Sequence, residues 1–177
     1  PQAVELEFAF GPGRKTADGV DRKPLELAEG LHVNGSIDRV DVLEATDGRR
    51  RVYVRDYKTG PVSHPHQGWE EQHVLQAPLY LLAALELLGG DNLPGGAIYD
   101  SVRDRRFSGA VVEGLPGSEG NRISVSDEEM NLLLESARRR AIAAVRGMKD
   151  GMLGPDPEHC SGTKGECRFP WLCRAGK

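Results

Sequence analysis

No apolar run in this sequence approaches the roughly 20 residues that a bilayer-spanning helix needs, so nothing in the 177 residues reads as a helical membrane span. The first residues, Pro1-Gln2-Ala3-Val4, show no basic stretch followed by an apolar core. No signal peptide is therefore visible, and a cytoplasmic location is expected. Position 1 is not methionine, which leads us to expect a processed or excised piece of a longer protein. Aromatic residues are scarce, at 6%, while 28% of residues are charged, the balance of a water-soluble globular chain. Cysteine is nearly absent: three residues, an odd number, all within the last eighteen positions. With no secretory segment, that clustering argues for a metal or iron–sulfur site over a disulfide. A complete nucleotide-binding loop is also missing. Gly11-Pro12-Gly13-Arg14-Lys15-Thr16 places Arg14 where the glycine before the lysine belongs, and Ala9 where the first glycine belongs. Any ATPase activity is thus expected in another region or subunit.

The chain has the length of one domain with one core. Its net charge of −4 neither announces nor excludes a nucleic-acid partner. Basic residues are grouped, in Arg49-Arg50-Arg51, in Arg103 with Arg105-Arg106, and in Arg138-Arg139-Arg140. Acidic residues at a metal site also lower the net charge without opposing DNA once the cation is bound.

Alternation of apolar and polar residues predicts strands over 4–10, 31–44 and 51–58, with Asp47-Gly48 as the hairpin turn between the last two. Side chains of a strand alternate across its faces, so Val52, Val54, Asp56 and Lys58 share one face of their strand, and Asp38 and Val40 share a face with Asn34 and Ser36 on the preceding one. A helix is expected over 69–88 from the spacing of Leu75, Leu79, Leu82 and Leu85, ended by Gly89-Gly90. Strands follow over 96–102 and 106–112. A last helix starts at Ser126, with Glu129 completing a capping box, and runs to about residue 148. An irregular tail over 155–177 holds the cysteines.

The hairpin can bring Asp38, eighteen residues before Asp56, beside Asp56 and Lys58. Two carboxylates and the intervening main-chain carbonyl of Tyr57 offer hard oxygen donors for Mg²⁺ or Mn²⁺, and the lysine can polarise a water. The same spacing equally describes a turn aspartate and an exposed cross-strand charge pair, a kind of pair that contributes only about 0–1 kcal/mol. Spacing by itself leaves both readings open. Gln76 and Tyr80 lie one helical turn apart on the helix that follows. His64, His66 and His73 read as solvent-facing loop and helix residues, with a zinc site as the alternative.

Gly35-Ser36-Ile37-Asp38-Arg39-Val40-Asp41, then Asp56-Tyr57-Lys58-Thr59-Gly60, then Gln76 and Tyr80 resemble, in that order, the motifs of the PD-(D/E)XK nuclease superfamily, and most closely its RecB/AddB-like exonuclease branch. The resemblance runs over nearly the whole chain. It implies an α/β, restriction-endonuclease-like core: a central mixed sheet flanked by helices. It implies a metal-dependent DNA exonuclease working in repair or recombination as part of a helicase–nuclease, with a single-stranded DNA end as substrate, a helicase subunit or domain as partner, and no membrane. In that reading Asp38, Asp56 and the Tyr57 carbonyl bind Mg²⁺ or Mn²⁺, Lys58 orients the water, and Gln76 and Tyr80 position the DNA backbone or support the lysine. Arg39 and Asp41 are structural or phosphate-facing.

The resemblance also implies that Cys160, Cys167 and Cys173, separated by six and five residues, join a distant cysteine around a 4Fe–4S cluster. Thiolates suit iron–sulfur or zinc, and the donor set does not choose between them. The fourth cysteine and a histidine-bearing helix are expected upstream of residue 1. The chain is then the C-terminal part of a longer nuclease domain, and inactive or weakly active when isolated. Two competing readings stand beside this one: a catalytically inactive nucleic-acid-binding or scaffold domain of the same fold, and a cysteine-metal interaction module.

Overall fold

The computed structural model describes residues 3–8, 23–61, 64–119 and 123–152. Cys160, Cys167, Cys173 and the glycine-rich stretch 11–16 lie outside the described residues. By internal contacts the chain forms two units, Pro1–Ile142 and Ala143–Lys177. The second contributes the last turns of one helix and a turn in which Gly151 N–H donates to the Met148 carbonyl at 3.1 Å.

Within the first unit, six strands make one mixed sheet: β1 (Ala3–Phe8), β4 (Gly35–Glu44), β5 (Arg50–Lys58), β6 (Leu93–Ser101), β7 (Arg106–Val112) and β8 (Ser124–Val125), neighbours in that order. β4 and β5 are an antiparallel hairpin with Val40 opposite Val54 and Arg39 opposite Arg55. The turn between them closes at Asp47-Gly48, with Gly48 in the left-handed region at φ 76° and its N–H donated to Ala45 at 2.9 Å. β5 and β6 run parallel, as a crossover through α1 (Gln76–Leu88) requires. Asp56 faces Tyr99 in that register.

The expected strand over 31–44 is in fact two, β3 (Leu31–Val33) and β4, broken at Asn34. β3 turns back onto β2 (Leu25–Ala28) in a separate two-stranded sheet. The polar end of the segment thereby joins the main sheet, and Leu25 and Leu27 are buried in the core.

The helix expected over 69–88 begins only at Gln76. Residues His66–Gly68 form a single 3₁₀ turn, and His73 takes φ 52°. Pro78 supplies the physical reason. In the first helical turn its missing N–H costs nothing, whereas a helix running back to Trp69 would set its ring against the Val74 carbonyl. The buried face of α1 is Ala77, Pro78, Leu79, Leu81, Ala83 and Ala84, with Leu75, Leu82 and Leu85 packed at its margin. Gly89, at φ 58°, ends the helix and donates to the Leu85 carbonyl at 3.0 Å.

α2 (Asp127–Lys149) starts as its capping box directs: Glu129 N–H donates to Ser126 Oγ at 3.1 Å. Within the first unit it buries Met130, Leu134, Ala137 and Ala141, and all but Ala137 belong to the cluster that also holds Val40, Val54 and Leu81. A second, smaller cluster of Tyr53, Ile98 and Val111, edged by Leu115 and Ile123, occupies residues that alternate with the first on β5 and β6.

Several arginines grouped in the sequence are committed to this framework. Arg51 is buried, at 3% exposure. Its guanidinium donates to the Pro94 carbonyl at 3.1 Å and pairs with the Asp127 carboxylate. Arg140 donates to the carbonyls of Trp69 (2.9 Å) and Val74 (3.2 Å). It thereby fastens the irregular segment before α1.

Candidate active site

The site forms where β5 ends beside the start of α1. Val54, Asp56 and Lys58 alternate with solvent- or cluster-facing neighbours along β5. Asp56 is 4% exposed, and its Oδ2 is paired with the Lys58 ammonium at 2.5 Å. Burial pushes the Asp56 carboxyl above its ordinary value; Lys58 opposes this and the nearby Asp38 charge adds to it. The reading of Asp56 and Lys58 as an exposed surface pair does not hold, because the carboxylate is buried.

Asp38 sits past the last registered pair of β4 and β5. Its Oδ2 accepts the Tyr57 N–H at 2.7 Å, so a side chain substitutes for the ladder bond and ties the carboxylate to the middle of the Asp56-Tyr57-Lys58 segment. Across the gap to the helix, Lys58 Nζ donates to Gln76 Oε1 at 2.9 Å, and Gln76 Nε2 donates to the Tyr80 hydroxyl at 3.2 Å. Asp56, Lys58, Gln76 and Tyr80 thus form one continuous polar chain from strand to helix, with Asp38 attached through the Tyr57 amide.

Tyr99 is a part of this arrangement that the sequence did not disclose. Leu75, at the N-cap of α1, offers no side-chain cap. The Tyr99 hydroxyl, from β6, accepts the Ala77 N–H at 3.0 Å instead and so caps the helix from the sheet. Burial raises its phenol to about 12, which keeps it a neutral hydroxyl. The Lys58 ammonium lies 5.8 Å from the Tyr99 ring centroid, within cation–π range. Behind Lys58, Ser101 Oγ donates to the Gly60 carbonyl at 3.0 Å and holds the Thr59-Gly60 exit.

Arg39 and Asp41 pair with each other at 2.9 Å, and Arg55 approaches Asp41 at 3.5 Å. Neither Arg39 nor Asp41 joins the polar chain. His66 is not a solvent-facing residue: it is buried, with Nδ1 3.2 Å from the Gly109 carbonyl and Nε2 3.6 Å from Glu129. His64 also carries contacts, with Nδ1 3.2 Å from Gln72 Oε1. Among the described residues no three His, Cys, Asp or Glu side chains converge as a metal-ligand set, so the zinc alternative for these histidines is not realised there. Among the described residues, the donors available to a cation at the site would be two carboxylates and main-chain oxygen. That donor set is hard and anionic, which fits a small divalent ion.

Among the described residues no helix is long and apolar enough to cross a membrane. The family model of the PD-(D/E)XK nuclease superfamily matches residues 1–174. Two curated relatives are each named as a subunit of an ATP-dependent helicase/deoxyribonuclease. The protein of Symbiobacterium thermophilum is 39% identical over 110 residues, which is 59% of this chain and 9% of that protein. The protein of Moorella thermoacetica is 38% identical over 103 residues, 56% of this chain and 8% of its own length. The matched stretch is therefore less than a tenth of either relative.

Proposed function

The chain belongs to the PD-(D/E)XK nuclease superfamily, and we propose that it is the metal-dependent exonuclease part of a helicase–nuclease, hydrolysing phosphodiester bonds of DNA in repair or recombination. One observation carries this reading: the unbroken contact chain Asp56–Lys58–Gln76–Tyr80 with Asp38 bonded at Tyr57. DNA as substrate and a helicase as partner rest on the names of the two relatives and reach this chain by similarity alone.

Asp38, Asp56 and the Tyr57 carbonyl would hold Mg²⁺ or Mn²⁺. Such an ion supplies a water of lowered pKa and charge compensation at the leaving oxygen. The chain's own residues do the positioning. Gln76 and Asp56 hold the Lys58 ammonium between them, which leaves its third N–H for a phosphate oxygen or the attacking water. Tyr80 fixes the rotamer of Gln76 from the next helical turn, and its hydroxyl is a second polar contact for the DNA backbone. Cys160, Cys167 and Cys173 enter this reading as a thiolate set suited to a 4Fe–4S cluster. Absorption near roughly 400 nm in the intact protein would reveal it, whereas stoichiometric zinc in a colourless protein would overturn it.

Asp56→Ala and Lys58→Ala in the intact protein should abolish metal-dependent cleavage of single-stranded DNA while the far-ultraviolet circular dichroism stays unchanged. Cleavage at the wild-type rate in either variant removes the proposal.

A further inference from the structure

Beyond Lys58 and Gln76 the site opens into a pocket of about 420 Å³. His64 stands in its wall, held at every polar position the main chain offers. Its N–H donates to Ser108 Oγ at 2.7 Å, and its carbonyl accepts the Trp69 indole N–H at 3.0 Å. Its ring meets the Tyr99 ring edge-on with centroids 5.2 Å apart. Lys58 approaches that same tyrosine ring, so the histidine and the lysine flank one aromatic residue. A loop side chain fixed at both ends and at its ring is preorganised for contact, not left to solvent.

The chemistry of the wall narrows the ligand. Gln72 Oε1 and His64 Nδ1 lie 3.2 Å apart, so the amide and the ring hold each other at one side of the recess. An imidazole and a carboxamide side by side offer both donor and acceptor positions, which suits the polar edge of a nucleobase. Val74 and Leu75 make another part of the wall apolar. The recess is open to solvent, and its lining sets an aromatic ring and two apolar side chains beside fixed polar groups, a surface on which a planar base can lie. His73 also lines the recess, in the turn that precedes α1.

We propose that this pocket receives the nucleobase of the nucleotide next to the scissile phosphate, with His64 and Gln72 as the contacts that set base preference. The proposal rests on the nuclease reading of the adjoining carboxylates. Lys58 borders both compartments, so a base held here would belong to a nucleotide adjoining the cut.

The test steps a single abasic residue through a single-stranded oligonucleotide, with the intact protein and Mg²⁺. For the wild type, one register should lower kcat/KM by about tenfold, the scale of losing one base contact. In His64→Ala and Gln72→Ala that penalty should shrink to under about twofold at the same register and at no other, because the contact is already gone. Gly68→Ala is a third variant, which keeps the His64 side chain and its main-chain bonds and disturbs only its Gln72 partner. Its added Cβ would stand 2.7 Å from Gln72 Nε2, so the amide must swing away from the histidine. It should show the same loss of register sensitivity, and it answers the question if His64→Ala does not fold. The same abasic scan read by fluorescence anisotropy in EDTA reports binding without chemistry. Equal abasic sensitivity in wild type and all three variants, in both readouts, overturns the base pocket. Absence of metal-dependent cleavage overturns the nuclease reading instead, and the anisotropy scan then still decides the pocket.

Discussion

Lys58 and Gln76 are joined at 2.9 Å across the junction of β5 and α1, and through this bond the lysine's position depends on where the helix begins. A helix starting at Trp69, as leucine spacing suggested, would have carried Gln76 in its middle. Starting at Gln76, the helix presents this residue at its first position, directly beside the end of the strand.

Gln76→Ala should therefore lower cleavage of single-stranded DNA by roughly 10- to 100-fold, the usual effect of removing a supporting contact from a catalytic group. Gln76→Glu should retain much more activity, because a carboxylate can accept the same lysine bond. Tyr80→Phe, which removes only the hydroxyl bonded at 3.2 Å, should fall between wild type and Gln76→Ala. Steady-state rates with the four proteins check the order; a Tyr80→Phe loss exceeding that of Gln76→Ala would contradict the chain of contacts.

Tyr99→Phe isolates the helix cap. The Ala77 N–H is buried, and without the phenol it loses its partner, at a cost of about 1–3 kcal/mol. Urea denaturation should show a lower midpoint with an unchanged slope. Lys58 retains an aromatic face in the variant, so the loss of stability should exceed any loss that a weakened cation–π contact would produce.

The Arg51–Asp127 pair gives stability a defined acid dependence. The Arg51 guanidinium holds the Asp127 carboxyl below its ordinary value. A depressed folded-state value means that the unfolded chain binds the proton more readily. The pair's contribution is thus fully present above the unfolded carboxylate value of about 3.9 and is lost as pH falls through the lower folded value. Asp127 is half-exposed, so solvent screens part of the effect. Asp127→Asn should be less stable than wild type at pH 7, also because it leaves the buried Arg51 without its anion. The gap should close progressively below about pH 4. Chemical denaturation of both proteins over pH 3–7 measures it, and a gap that stays constant throughout would contradict the assignment.

How much of this was legible in the sequence depended on the range of the interaction. Asp38, Asp56 and Lys58 are placed by the two-residue period of a hairpin whose turn, Asp47-Gly48, was itself visible. Gln76 and Tyr80 are placed by one helical turn. Tyr99 is different. Its role arises from the parallel pairing of β5 with β6, which sets it opposite Asp56 across 43 positions, and no local pattern encodes that register. The burial of His66 is hidden for the same reason: it comes from Gly109, whose φ of 129° and absent side chain let β7 pass within contact of Ala97. The late start of α1 was foreseeable from Pro78, a local signal that the leucine repeat outweighed. Arg51 and Arg140 looked like parts of basic patches because burial of a guanidinium against distant carbonyls leaves no trace in neighbouring residues.

A metal at the carboxylates should be detectable without turnover. Asp56 is buried, and the half-buried Asp38 lies near enough for its charge to act on the Asp56 carboxyl. A divalent ion that binds the folded protein and not the unfolded chain raises stability by RT ln(1 + [M]/Kd), about 1.4 kcal/mol at a free concentration ten times Kd. For a protein of this size that corresponds to a rise in Tm of roughly 3–6 °C. Mg²⁺ or Mn²⁺ added to the intact protein without DNA should produce this rise. Asp38→Asn and Asp56→Asn should each reduce it strongly, and the double variant should remove it. Lys58→Met should keep or enlarge it, because the lysine is no ligand and its positive charge opposes the incoming ion. A shift that survives in the double variant would place the ion elsewhere and leave the two aspartates without the role proposed for them.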